Sequence, residues 1–120
     1  MLTEDYCSYE VAKLLKEKGF DVYTSTRYDY EGGFHFRGHY LVGDSDISAP
    51  THQMAMKWLR KKHYIYAEPI KQGNYNDCSE YYTWIVSRMG IIHRNPTVVD
   101  KLSYEEAVEA ALKYSLEKLI

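Results

Sequence analysis

Cysteine, proline, long apolar runs and any strong excess of one charge are all scarce in this sequence. The two cysteines among 120 residues, Cys7 and Cys78, form no CxxC pair, which excludes a zinc knuckle and a CxxC redox motif. Three prolines and seven glycines exclude collagenous or low-complexity chain. No apolar run approaches the ~20 residues that a spanning helix needs, so no membrane partner is expected. The opening residues, MLTEDYCSYE, are acidic and polar and carry no apolar h-region, so the sequence predicts no secretory signal. A cytoplasmic, reducing setting with free thiols follows as the expectation. Net charge is -2, without the basic excess of a typical nucleic-acid binder. The one basic run, KWLRKKH at residues 57–63, reads as cations complementing the carbonyl end of a helix.

What is present is globular composition: 45% hydrophobic and 27% charged residues, enough for a core of ordinary size in one domain spanning residues 1–120. Tyrosine is the outlying residue type, 13 against three phenylalanines and two tryptophans. Tyrosine supplies rigid amphipathic area, at home half-buried around a core or on a contact surface.

Hydrophobic spacing divides the chain. In CSYEVAKLLKEKGF, Cys7, Val11, Leu14 and Leu15 fall on one helical stripe. Ser8 is placed to cap the helix, and Gly19 to end it, with Phe20 folding back on the last turn. DVYTSTRY and FHFRGHYLV are rich in β-branched and aromatic residues and flank the turn signal DYEGG, which predicts a hairpin. GDSDISAPT is a cap-rich loop. Pro50 suits a first helical turn and Ser48 or Thr51 a cap, before a helix with Met54, Ala55, Trp58 and Leu59 on one stripe. HYIYAEPI alternates as a strand with Ile65 and Ala67 on one face and Tyr64 and Tyr66 on the other, and Pro69 is expected at a strand end or a sheet edge. EYYTWIVSRM alternates with both faces apolar, which predicts a strand that is central or covered on both sides. IIHRNPTVVDKL fits no single element. SYEEAVEAALKYSLEKLI has a capping box from Ser103 to Glu106 and a stripe from Ala107 through Leu119. Glu105 and Glu109 stand at helical spacing before Lys113, as on an exposed face. The expected fold is a small single α+β domain, order α-β-β-α-β-β-α, with helices packed on a mainly antiparallel sheet.

The most chemically suggestive segment is GGFHFRGHY, residues 32–40. As a strand, it would place His35 and His39 about 13 Å apart at roughly 3.3 Å per residue, too far for one zinc held by bonds of about 2 Å. No fixed spacing nominates further ligands from His52, His63, His93, Cys7 or Cys78. GDSD lacks the remaining positions of a calcium loop. A Cys–His–carboxylate set exists by residue type, but Cys7 lies on a core stripe and Cys78 in a polar turn. No GxSxG, HExxH or phosphate-binding glycine loop is present. The sequence therefore nominates no catalytic residue, no metal ligand and no cofactor.

Three segments, YCSYEVAKLLKEKGFD, THQMAMKWLRKKHYIY and SYEEAVEAALKYSLEKLI, resemble a family of short uncharacterised proteins of Bacteroidetes and their prophages and phages. The resemblance covers about half of the chain and leaves out residues 22–46. Its motifs are stripes and caps, so it implies a bacterial or phage setting and no activity. The expected function is that of a non-enzymatic binding or accessory module acting on a protein partner or as a homo-oligomer. Tyr28, Tyr30, Phe34, Phe36, Arg37 and Tyr40 of the aromatic hairpin are its expected contact residues. The alternative is single-stranded nucleic acid stacked on the same hairpin, with Arg27, Arg37 and KWLRKKH tracking phosphates; a metal-dependent or hydrolytic enzyme using His35 or His39 ranks third.

Overall fold

A computed structural model describes residues 4–36, 46–72, 81–96 and 101–120. Three helices, α1 (Tyr9–Glu17), α2 (His52–Trp58) and α3 (Tyr104–Lys118), combine with two three-stranded antiparallel sheets. The first sheet has the order β2-β1-β3, from β1 (Thr26–Tyr28), β2 (Phe34–Phe36) and β3 (Ile47–Ser48). The second has the order β4-β5-β6, from β4 (Ile65–Gln72), β5 (Tyr81–Arg88) and β6 (Ile91–Arg94). The expected α+β order is observed, with β3 and β6 added as short strands. Among the described residues no helix is long and apolar enough to cross a membrane.

Local chemistry sets the helix ends as the sequence predicts. The Ser8 hydroxyl accepts from the Val11 amide at 3.2 Å and caps α1. Gly19 has φ +97°, and the Phe20 amide reaches back to the Leu15 carbonyl at 2.9 Å, which closes the helix and turns Phe20 into the core against Trp58. The capping box of α3 is complete, with Ser103 and Glu106 each accepting from the other's backbone amide. Pro50 differs from the expectation. It precedes the Thr51 cap of α2 and lies outside the helix, because its carbonyl is committed to the Cys7 amide at 2.9 Å.

Helix α3 packs across β4 and β5 and also touches α1 and α2. Period-two alternation decides what it covers. Ile65 and Ala67 of β4 and Trp84 and Val86 of β5 face inward, onto Val108, Ala111, Leu112 and Leu116 of α3 and Leu15 of α1. Each fully buried leucine or isoleucine here contributes about 1.5–3 kcal/mol. β5 is central, and Pro69 sits inside β4, the edge strand, where its missing donor faces no neighbour. The stripe of α2 is rotated from the expected one: Met56 is buried and Met54 is exposed, with His52 also inside. A π-helical turn, Leu59–His63, follows α2 and ends at Tyr64; Leu59 is buried on the same stripe as Ala55 and Trp58.

Candidate functional site

Among the described residues, two places besides the aromatic hairpin carry chemistry or contact potential. The first is at the turn end of the second sheet. The β5–β6 connection is a two-residue turn, Met89 and Gly90, with φ of 51° and 83°, the left-handed pair that suits right-twisted strands. Tyr64, which enters β4 at the same end, also has positive φ, 57°. Among the described residues these are the two non-glycine positions with positive φ. A side chain in this conformation costs roughly 1–2 kcal/mol relative to the right-handed region.

Register explains the groove between them. Tyr66, Ser87 and Ile92 are cross-strand neighbours, all on the sheet face away from the helices. The small Ser87 in the middle leaves a notch walled by Tyr66 and Ile92 and extended by Tyr64, Met89 and Gly90. The resulting open groove holds about 660 Å³. Its rim is apolar and solvent-facing: Met89 is 85% exposed, Tyr64 67% and Ile92 54%. The next row, Glu68, Ile85 and Arg94, turns polar and bounds the patch.

The aromatic hairpin, expected as the contact surface, presents part of that expectation. Tyr28 is half-buried. Its hydroxyl donates to the Cys7 carbonyl at 2.6 Å and its ring lies between Tyr9 and Phe34, so it ties the hairpin to α1. Tyr30, Phe34 and Phe36 are exposed, and Tyr6 stacks beside both phenylalanines. Arg37, His39 and Tyr40 lie outside the described residues. Asp29 organises the turn: its carboxylate accepts from the amides of Glu31 and Gly33 and pairs with His35 at 2.8 Å. The His35 contact, then the Gly33 amide, hold the Asp29 carboxyl below its usual range. Within GGFHFRGHY, Phe34–Phe36 forms a strand with His35 at the surface.

The second place was not nominated by the sequence. Cys7 just before α1, His52 at the first turn of α2 and Glu109 in the second turn of α3 offer donor atoms within 4.8 Å of one another. His52 Nε2 lies 2.8 Å from Glu109 Oε1. The Ser8 amide donates to the same oxygen and the Ser8 hydroxyl to the other, each at 2.8 Å. Burial works against the Glu109 charge, but the bonds from His52 and Ser8 outweigh it and hold the carboxyl below its ordinary value. Burial pushes the Cys7 thiol up, and the Glu109 charge pushes it further; a neutral, fully buried thiol is no nucleophile. Glu109 was expected on the exposed face with Lys113. Lys113 instead pairs with Glu10 at 2.9 Å, because Glu109 is drawn inward by three donors.

No family model, curated protein or solved structure matches this chain.

Proposed function

We propose that this protein is a small non-enzymatic binding module that holds a polypeptide partner in the groove at the turn end of β4, β5 and β6, by seating one apolar side chain of the partner over Ser87. One observation carries the reading: the two non-glycine residues with left-handed backbone among the described residues, Tyr64 and Met89, both line this groove. Glycine would occupy either position at lower conformational cost. Strain retained where a large exposed apolar side chain results points to a role for the side chain. A central notch ringed by aromatic and aliphatic groups is also the form of a contact hot spot. The aromatic hairpin is a second contact surface in this reading, through Tyr30, Phe34 and Phe36. A bacterial or phage cytoplasmic setting, as the three scaffold segments imply, belongs to the same proposal.

The test is selection of randomised displayed peptides on the wild-type chain, counter-screened on Ser87→Trp. The substitution fills the notch from the outer face and leaves the inner, core-facing residues in place. Peptides converging on an aromatic or aliphatic anchor, bound by wild type and lost on Ser87→Trp, are expected. Selected peptides that bind Ser87→Trp equally well, or a selection that returns none, overturn the reading. Salt-sensitive retention on oligonucleotides would favour the nucleic-acid alternative instead.

A further inference from the structure

The Cys7–His52–Glu109 cluster has the donor set of a transition-metal site, and it does not depend on the groove reading above. A thiol sulfur, an imidazole nitrogen and a carboxylate oxygen are the three ligand types that zinc takes together, and they exclude magnesium and calcium, which prefer oxygen alone. The three donors come from three separate elements and lie within 4.8 Å of one another. A tetrahedral ion with bonds of about 2.0–2.3 Å wants its donors about 3.3–3.7 Å apart, so side-chain rotation by about 1 Å completes the set.

Burial supplies the second observation. His52 is 5% exposed, and its Nε2 is the ring nitrogen turned to the cluster, 2.8 Å from Glu109. An ion there takes the place of that hydrogen bond and leaves the ring proton on Nδ1, which has no partner among the described residues. Charge closes the argument: one thiolate and one carboxylate neutralise a dication, which lets the centre be buried without net charge. Ser8, with its amide and hydroxyl both on Glu109, fixes the carboxylate from behind, as outer-shell partners of metal ligands do.

An entry path is present. An open cavity of about 470 Å³ reaches His52 and Glu109 from solvent, and Asp5, Glu105 and Glu106 also line it. Four carboxylates on one small cavity attract cations and raise their local concentration.

We propose that Cys7, His52 and Glu109 bind one divalent transition-metal ion of the zinc class, with a fourth coordination position open toward the acidic cavity. On binding, the thiol loses its proton to solvent, so binding releases protons.

Cobalt(II) tests this directly, because a thiolate-to-cobalt charge-transfer band reports a Co–S bond. The full chain with Cys78→Ser, purified without chelator, is titrated with cobalt and then with zinc. Expected are a band saturating at one cobalt per chain, release of protons on binding, and loss of the band as zinc displaces cobalt. Cys7→Ala is expected to abolish the band, and Glu109→Gln to weaken binding beyond the about 10–100-fold typical of outer-shell changes. Glu105→Gln, which touches only the cavity wall, is expected to keep the band. Absence of a charge-transfer band in the titrated chain overturns the proposal whatever the variants do. So does a band that survives Cys7→Ala.

Discussion

Glu109→Ala is expected to destabilise the fold by about 2.5–4 kcal/mol, and the structure says where that comes from. Three donors converge on the carboxylate at 2.8 Å each: Ser8 amide, Ser8 hydroxyl and His52 Nε2. The two Ser8 contacts face solvent, so water replaces them and each is worth about 0.5 kcal/mol, the low end for a net hydrogen bond. His52 is different. It is buried, and its other nitrogen has no partner among the described residues. Removing Glu109 therefore leaves the ring wholly unsatisfied, at about 1.5–3 kcal/mol for a hydrogen bond to a charged group. Urea unfolding at neutral pH, read by far-UV circular dichroism, measures the difference. A pH series on wild type and Glu109→Gln adds the sign. The Glu109 carboxyl is held below its ordinary value, so the stability it supplies is fully present above that ordinary value. It is lost as pH falls through the lowered one. The groups facing it are His52 from α2 and, from the segment before α1, Cys7 and Ser8, with the Tyr28 phenol nearby. The stability gap between wild type and Glu109→Gln should accordingly shrink as pH falls below the ordinary glutamate value and through the lowered one. A cost below about 0.5 kcal/mol for Glu109→Ala, the scale of an ordinary surface substitution, would refute the account of this cluster. So would a gap that holds constant down to acid pH.

Other outcomes follow from the same packing. Leu112 is fully buried against the second sheet, so Leu112→Ala is expected to cost about 2–5 kcal/mol in urea unfolding. Met89→Gly relieves a left-handed side chain at some cost in chain entropy and is expected to leave stability unchanged or raise it by up to about 1 kcal/mol. The same variant should weaken peptide binding; a clear loss of stability instead would show that Met89 packs as structure. The Cys7 thiol, buried and pushed up, should resist alkylation in the folded Cys78→Ser chain and react at once in denaturant, read by intact mass. Rapid labelling of the native chain would contradict its burial.

The scaffold was readable because its signals are local. Ser8, Gly19 and the Ser103–Glu106 pair act within four residues, and β5 declared itself central by being apolar on both faces. The stripe of α2 was harder. That helix has seven residues, too few for periodicity to fix its phase, and a histidine at its start reads as polar although it packs inside. The Cys7–His52–Glu109 cluster has no sequence signature at all. Its members are brought together only when the starts of α1 and α2 pack against α3, and Glu109 has an equally good local reading with Lys113. The groove was missed for a different reason. Met89-Gly90 carries half of the left-handed turn signal, glycine without asparagine or aspartate before it, so the strand that follows it was not separated from the connection.

The measurement that bears most directly on the binding reading is calorimetric titration of one selected peptide into three proteins: wild type, Ser87→Trp, and Phe34→Ala with Phe36→Ala. Filling the notch is predicted to weaken binding at least tenfold, about 1.4 kcal/mol, while the hairpin variant stays within about twofold, near 0.4 kcal/mol. The reverse pattern, with the hairpin variant losing the peptide and Ser87→Trp keeping it, would contradict the groove and return the contact surface to the aromatic hairpin.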